Sequence, residues 1–447
     1  MSTPSQYHQP RASPVPTGFL GAWERLLGPR GVPALPRRRG RKPRVPVSQL
    51  LPALTFHVMQ DAGTLADHLF QLFRAPLADS SWSDRRLRLP WEIFADLMRR
   101  ALRPRATPRQ HREAFWRGWR LVALDATQFS LINTPQITAT FDKAQTRRGR
   151  AAFAKITTAV LLELGLHNPV AAAIGRKGES EWAMAQRLLA QLPKRALLLG
   201  DRLYGVAAFA VHALAACDRV GSHVLLRASR ATKPRLIKRF RDGSRLVRVA
   251  VRARGTPTRI LDWLELREIR VRVGRPGHRT HELRLWTSLR DPDTAPALDL
   301  AELYARRWEH ELYFREIKRQ LRKTDLLQSH TVETGAQEIA ALVLASALLA
   351  AERARAANGK VPVLTVSFGQ VLNVVRGMWL FFGPFDDLVD DRLKHRVVRR
   401  GYTLMRRSLT AKRRSRSCLR AVRQTVKAWP RLLQTRSVDG PLHFKLV

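Results

Sequence analysis

Four residues of one helical segment combine a carboxylate with two cations and a phenol. They are separated by three, four and seven positions along the chain: Tyr304, Arg307, Glu311 and Lys318. At about 100° per helical residue, these spacings confine the four side chains to an arc of roughly 60°. A carboxylate in this setting suits a metal ligand flanked by groups that hold phosphates. The alternative is a salt-bridged helix surface, because acid and base at i and i+4 also stabilise helices.

Two aspartates upstream each follow a short apolar run. Asp125 ends LVALD, and Asp201 ends RALLLGD. Strand ends place side chains at the rim of a sheet, where a ligand can approach. With Glu311 they supply three separated carboxylates, which suits phosphodiester cleavage by two divalent cations about 3.5 to 4 Å apart. Each aspartate on its own is more typical of a turn or a helix cap.

Composition predicts a polyanionic partner. The 447 residues include 80 Lys and Arg against 36 acids, a net charge of +44. Nucleic acid is the expected partner of such a surface. No membrane contact is expected, since the longest apolar segment, 339–351, falls short of the roughly 20 residues of a spanning helix and predicts a buried core helix. Two widely separated cysteines and the absence of an apolar signal segment predict a cytoplasmic location.

Patterning divides the chain into four regions. Residues 1–35 are rich in Pro, Gly and Ser and predict a disordered tail, and 36–110 predict a basic segment followed by a helical DNA-binding domain. Residues 115–330 alternate strands and helices in an order that predicts an α/β fold, a ribonuclease H-like catalytic core, with a β subdomain inserted at about 230–285. Residues 331–447 predict a helical, basic C-terminal region.

These motifs resemble the DDE transposases of bacterial insertion sequences. LDAT around Asp125, GDRLYG around Asp201 and the Y-x2-R-x3-E-x6-K helix match the insertion-sequence-four-type branch over about 119–351. The resemblance implies that Asp125, Asp201 and Glu311 are the catalytic and metal-binding triad, with two Mg²⁺ ions per site and Mn²⁺ as an alternative. Ala126 stands where the family usually has glycine, which leaves the ligand itself in place.

The same resemblance implies a set of DNA contacts around the triad. Residues that would hold the DNA ends or support the second aspartate are Tyr304, Arg307, Lys318, Arg202 and Tyr204. An aromatic residue near the insertion would receive a flipped base, and Trp286 is the predicted residue. Its alternative role is that of a core aromatic on the last strand of the insertion.

A short basic motif precedes the helical domain. Arg39 and Arg41 flank Gly40, a pattern that suits a hook in a narrow minor groove, although a solvated basic linker fits equally well.

The leading hypothesis is a transposase that binds terminal inverted repeats, cleaves the DNA with the triad and joins the freed ends to target DNA. The resemblance further implies a homodimer in the synaptic complex and association with the nucleoid. One alternative is a domesticated, non-catalytic DNA-binding protein derived from a transposase. A repair or junction nuclease of the same plan is the other, although such a nuclease would lack the Tyr304 to Lys318 signature.

Overall fold

The computed structural model describes most of the chain in ten ranges: 18–33, 44–141, 143, 145–146, 149–176, 179–253, 256–274, 280–324, 326–385, 388–410, together with the short segment 443–446. Contacts divide the chain into two compact units. The helical unit comprises Met1–Arg103, Ser130–Ala154 and Glu316–Ser408. The sheet unit comprises Pro104–Phe129, Lys155–Arg315 and Leu409–Val447.

The α-helices of the described residues are numbered in chain order. They are α1 Phe19–Leu27, α2 Val47–His57, α3 Leu65–Phe73, α4 Asp79–Leu87, α5 Trp91–Ala101, α6 Pro135–Thr140, α7 Glu181–Leu189, α8 Ala207–Arg219, α9 Ala297–Tyr304, α10 Glu309–Arg315, α11 Val332–Ala357, α12 Phe368–Phe385 and α13 Asp391–Arg407.

The strands are numbered in the same way. They are β1 Phe115–Trp116, β2 Trp119–Ser130, β3 Gln145–Thr146, β4 Gly149–Arg150, β5 Lys155–Glu163, β6 Asn168–Ile174, β7 Ala196–Gly200, β8 His223–Arg227, β9 Arg235–Arg239, β10 Arg245–Ala253, β11 Thr256–Gly274, β12 His281–Thr287 and β13 His443–Leu446.

A large mixed sheet forms the sheet unit. Its strand order is β6-β5-β2-β7-β8-β12-β11-β10-β9, with β1 added to β2 and β13 added to β11. The central strands β2, β7 and β8 are parallel, whereas β8, β12, β11, β10 and β9 pair antiparallel. The chain is therefore an α/β protein with a large sheet.

The central strands are continuous apolar runs because both of their faces are covered. Residues 121–124 of β2 and all of β7 are buried. Helices α7 and α8 contribute to the same apolar core. Burial on both faces explains the unbroken LVAL and ALLLG runs, because apolar and polar residues do not alternate in parallel strands that are covered on both faces.

The predicted insertion consists of antiparallel strands. Residues Val247, Val249 and Val251 of β10 are buried at every second position. Such alternation is typical of a strand with one buried face. The strands β9 to β12 cover the predicted range of about 230–285.

Helix α11 is the central element of the helical unit, and it packs against α1, α2, α5, α12 and α13. It is the one helix of the described residues that is long and apolar enough to cross a membrane, yet 94% of its apolar window is buried. The prediction of a buried core helix at 339–351 is confirmed. The helices that precede the sheet and those that follow it belong to this same unit.

The prediction of a disordered tail over 1–35 fails for its second half. Residues 19–27 form α1, and Phe19, Trp23 and Leu26 are buried. Spacings of four and three place these three side chains on one helical face, which drives the helix into the core. Residues 1–17 lie outside the described part of the chain.

The segment with the Y-x2-R-x3-E-x6-K signature is not one regular α-helix. Helix α9 ends at Tyr304, a 3-10 turn covers Ala305–Trp308, α10 follows, and a π-helical stretch covers Glu316–Leu321. These helix types rotate by different angles per residue, so a single wheel does not describe the face. The expectation of one narrow arc is corrected accordingly.

Candidate active site

Asp125 and Asp201 are brought together by parallel pairing of β2 with β7. The last paired residues are Leu124 and Gly200, so the two aspartates follow them at the same edge of the sheet. Asp125 is not at the end of its strand, because β2 continues to Ser130. It lies where the pairing with β7 ends, which is the carboxyl edge at which ligands of α/β sheets bind.

The turn after β7 is tightly held. One carboxylate oxygen of Asp201 accepts a hydrogen bond from the backbone N–H of Leu203 at 2.8 Å, and its carbonyl oxygen accepts one from the N–H of Gly205 at 3.1 Å. Gly205 is needed here, since a Cβ would lie 1.7 Å from the carbonyl oxygen of Arg227. The turn therefore fixes the backbone that carries Asp201.

Arg307 links the third predicted acid to the first. Its guanidinium donates to Oδ2 of Asp125 at 3.1 Å and to Oε1 of Glu311 at 2.8 Å. The Glu311 side chain is 41% exposed, whereas those of Asp125 and Arg307 are 17% and 15% exposed. Glu311 is thus linked to Asp125 through the guanidinium of Arg307, and its carboxylate remains accessible to solvent.

The charge of Asp125 is poorly compensated. Burial raises the pKa of Asp125 to about 6, and the neighbouring carboxylates Asp201 and Glu181 act in the same direction. The N–H of Ala126, which donates to Asp125 at 2.9 Å, and the guanidinium of Arg307 oppose this increase in the pKa. The approach of another cation would therefore stabilise the ionised form of this carboxyl group.

Glu181 is an acid at this site that the sequence did not single out. It is the first residue of α7, and its Oε1 accepts a hydrogen bond from the buried hydroxyl of Tyr204 at 2.7 Å. Burial raises the pKa of Glu181, and Asp201 contributes to that increase. The sequence predicts the neighbouring Ser180 as a helix cap, but a cap does not indicate that the next residue belongs to a site.

Three predicted DNA contacts are buried aromatic residues. Tyr304 is 6% exposed and donates its hydroxyl to the carbonyl oxygen of Gly200 at 3.1 Å. Tyr204 and Trp286 have no exposed surface. The indole N–H of Trp286 faces Glu268 at 3.3 Å, within a core that includes Val249.

The position of Trp286 therefore corrects its prediction. A fully covered indole offers no face for a base to stack on, and the alternative of a core aromatic on β12 describes it. Tyr304 instead holds the backbone carbonyl of Gly200, next to Asp201. The buried hydroxyl of Tyr204 bonds Glu181.

Four of the predicted DNA contacts are cations other than Arg307. Arg202 is exposed in the turn after β7. Lys318 lies on the π-helical stretch in the helical unit. Arg39 and Arg41 lie outside the described residues.

The donor set fits a divalent cation in part. Among the residues with described positions, no three His, Cys, Asp or Glu side chains lie close enough to share one metal ion. Asp125 and Asp201 supply the carboxylate oxygens that Mg²⁺ prefers, and their mutual repulsion is what a divalent cation relieves. Glu311 is held instead by Arg307.

Comparison with known proteins agrees with the motifs at this site. The transposase DDE domain family matches residues 116–348, more than half of the chain. Transposase InsG for insertion sequence element IS4 from Escherichia coli (strain K12) is 29% identical over 245 residues, which is 54% of this chain and 52% of that protein. The match thus spans about half the length of this relative.

A solved structure gives a further, weaker similarity. The cryo-EM structure of the piggyBac transposase synaptic complex with hairpin DNA covers 83% of this chain and 79% of its own, at a TM-score of 0.42 and 9% sequence identity. The predicted resemblance is confirmed by the family match and by the insertion-sequence relative. The chain therefore belongs to the family of transposases with a DDE domain.

Proposed function

We propose that this transposase binds the terminal inverted repeats of its element, cleaves the DNA there and joins the freed ends to target DNA. The observation that carries the proposal is the placement of Asp125 and Asp201 on neighbouring parallel strands, with Glu311 joined to Asp125 through Arg307. These three carboxylates, distant in the chain, would form the catalytic triad.

Mg²⁺ is the proposed cofactor, as two ions per site, with Mn²⁺ as an alternative. When bound, the cations would activate the attacking oxygen and stabilise the leaving oxygen of a phosphodiester. Asp125 and Asp201 would hold them, and Glu311 would join after separating from Arg307. The carboxylates of Asp125 and Glu311 would remain neutralised in this exchange, because a bound cation would supply the positive charge that Arg307 now provides.

Arg307 would then be available to the DNA. A guanidinium released from two carboxylates can form a bidentate pair with a phosphate in the same place. Phosphate binding and metal binding would therefore favour each other. A phosphate on Arg307 would leave the two carboxylates free for the metal ions, and metal ions on the carboxylates would leave Arg307 free for the phosphate. DNA would in this way promote assembly of the complete triad.

The strand order supports a ribonuclease H-like plan for the catalytic core. The first three strands along this part of the sheet, β2, β5 and β6, lie side by side, and β7 and β8 add in parallel on the other side of β2. The strands β9 to β12 follow β8 and precede α9, which is consistent with an inserted subdomain.

The proposed partners are double-stranded DNA at the repeats and at the target, and a second copy of the chain in the synaptic complex. Arg202, which is exposed beside Asp201, and Lys318 would contact the DNA backbone. Arg39 and Arg41 would enter a minor groove ahead of the helical region, which would read the repeat. The location would be the cytoplasm, at the nucleoid.

Strand cleavage of a duplex that ends in the element's repeat tests the proposal. In the presence of Mg²⁺, Glu311→Gln should reduce the nicking rate by about a thousandfold while DNA affinity stays within a few fold. Glu302→Gln is the matched control, since Glu302 is an exposed acid on α9. Undiminished nicking by Glu311→Gln would refute the assignment.

A further inference from the structure

A buried tyrosine and a glutamate connect helix α7 to the turn that carries the second aspartate. Tyr204 has no exposed surface, and its hydroxyl lies 2.7 Å from Oε1 of Glu181. No other hydrogen bond of this hydroxyl is found within the described residues. A buried hydroxyl that loses its acceptor costs about 1–3 kcal/mol, so the pair constrains both partners.

Tyr204 belongs to the same short turn as Asp201. The turn is closed by the hydrogen bond from the N–H of Gly205 to the carbonyl oxygen of Asp201. It is tied to the segment after β8 by the N–H of Ser229, which donates to the carbonyl oxygen of Gly205 at 2.7 Å. The ring of Tyr204 packs against Phe209 with centroids 4.9 Å apart. Movement of Tyr204 would therefore move the backbone of Asp201.

Glu181 is held by a different element. Ser180 caps α7 by accepting a hydrogen bond from the N–H of Ala183 at 3.2 Å, and α7 packs on β5 and β6. Helix α7 also packs on α8, where the ring of Trp182 lies 5.7 Å from that of Phe209. The carboxylate thus belongs to a different element from the turn, and the hydrogen bond from Tyr204 ties the turn to α7.

The pair carries an electrostatic cost that packing alone does not explain. Glu181 adds a third negative charge to the surroundings of Asp125 and Asp201. Like charges at partly buried sites destabilise a fold. An apolar pair of similar volume would pack here without that repulsion, so packing alone does not account for a hydrogen-bond acceptor at this position.

We propose that Glu181 is a positioning residue for strand cleavage, which orients the Asp201 carboxylate through its hydrogen bond with Tyr204. The inference rests on the proposed function, since Asp201 is a ligand only within it. Glu181 acts through the hydrogen bond that it accepts, and not through its charge. Groups hydrogen-bonded directly to a metal ligand typically contribute about 10- to 100-fold to metal affinity, and we expect an effect in that range through the turn that carries Asp201.

The test measures Mn²⁺ binding to the full-length protein by electron paramagnetic resonance, together with the cleavage rate. Tyr204→Phe and Glu181→Leu should each weaken Mn²⁺ binding about 10- to 100-fold, and the double variant should be no worse than either single one. Glu181→Gln should recover most of the loss seen in Glu181→Leu, because its amide oxygen still accepts from Tyr204.

A second tyrosine–glutamate pair provides the control. In the helical unit, the hydroxyl of Tyr402 donates to Oε2 of Glu352. Tyr402→Phe should lower the melting temperature to a similar degree as Tyr204→Phe but leave Mn²⁺ binding unchanged. Thermal unfolding verifies that each variant is folded, and the near-isosteric Tyr204→Phe and Glu181→Gln carry the test if Glu181→Leu does not fold.

Two results would overturn the inference. One is wild-type Mn²⁺ binding by folded Tyr204→Phe. The other is a Glu181→Gln variant as defective as Glu181→Leu, which would show that Glu181 acts by its charge. Failure of the proposed function is distinguishable, because Asp125→Asn would then cleave DNA at the wild-type rate whatever the Glu181 variants do.

Discussion

At the scale of the residue, the site consists of acids whose charges are costly without a bound cation. Burial and two neighbouring carboxylates raise the pKa of Asp125 from its ordinary value of 3.8 to about 6. A carboxyl group with a raised pKa in the folded state stabilises the fold when protonated. This contribution is full below the unfolded value of 3.8 and is lost as the pH rises through about 6.

The substitution Asp125→Asn should therefore stabilise the protein in metal-free buffer at pH 8. A shift of about two pKa units corresponds to a few kcal/mol, and solvent access reduces the gain to on the order of 2 kcal/mol. The stabilisation should disappear near pH 4, where Asp125 itself is protonated. Chemical denaturation at the two pH values measures the difference, and equal or lower stability of Asp125→Asn at pH 8 would contradict the account.

Tyr304 provides a second prediction at this scale. Its hydroxyl is buried on the carbonyl oxygen of Gly200, so Tyr304→Phe should cost about 1 kcal/mol of unfolding free energy. DNA affinity should not change, whereas Arg202→Ala, at an exposed cation, should weaken it. Fluorescence anisotropy with labelled duplex separates the two, and a tenfold loss of affinity in Tyr304→Phe would restore the family's DNA-contact role to this tyrosine.

Much of the site could be predicted from single residues, and some of it could not. Asp125 and Asp201 follow apolar runs that predict buried strands, and Arg307 and Glu311 pair at the spacing of one helical turn. The burial of Tyr204 and Trp286 depends on packing between segments distant in the chain. The spacing of residues along the sequence does not predict such packing.

At the scale of the element, short connecting segments position the side chains of the candidate site. The prediction of one helix from Tyr304 to Lys318 assumed a constant rotation per residue, but the segment passes through 3-10, α and π geometry. Tyr304, the last residue of α9, is buried. Arg307 and Glu311 still pair because they are separated by four residues across the start of α10.

The turn after β7 gives the prediction at this scale. In Gly205→Ala, the added Cβ would meet the carbonyl oxygen of Arg227 at 1.7 Å, so the backbone must move. We expect a loss of about 3 kcal/mol or more in unfolding free energy, with loss of cleavage.

Gly221→Ala is the matched control for this turn. Gly221 has a φ of +58°, and no atom lies within 4 Å of an added Cβ. The substitution should therefore lower the free energy of unfolding by about 1 kcal/mol and leave cleavage intact. Equal effects of the two substitutions on unfolding and cleavage would show that the turn is not a constraint.

At the scale of the whole molecule, charge would dominate the proposed interaction with DNA. A net charge of +44 predicts strong dependence of DNA affinity on salt. With six to ten phosphates neutralised, affinity should fall by about 10³ to 10⁵ between 50 and 200 mM salt. Filter binding over that range measures the slope, and a change of less than tenfold would mean that few cations contact phosphates.

The division of the chain was only partly predictable at this scale. Apolar runs and their spacing predicted an α/β fold for the middle of the chain, and the structure has a large mixed sheet there. The helices on either side of the sheet in sequence were predicted as separate regions, but α5 and α11 pack in one unit. Contacts of such long range leave no local pattern in either segment.

Metal specificity of an Asp201→Cys variant tests the central claim most directly, because it asks whether this side chain touches the proposed catalytic cation. A thiolate suits softer metals than Mg²⁺. The account predicts that Asp201→Cys protein, folded and bound to the repeat duplex, nicks DNA in Mn²⁺ and loses nicking in Mg²⁺ by at least about a hundredfold. A ratio of Mn²⁺ to Mg²⁺ rates equal to that of the unchanged protein would contradict it.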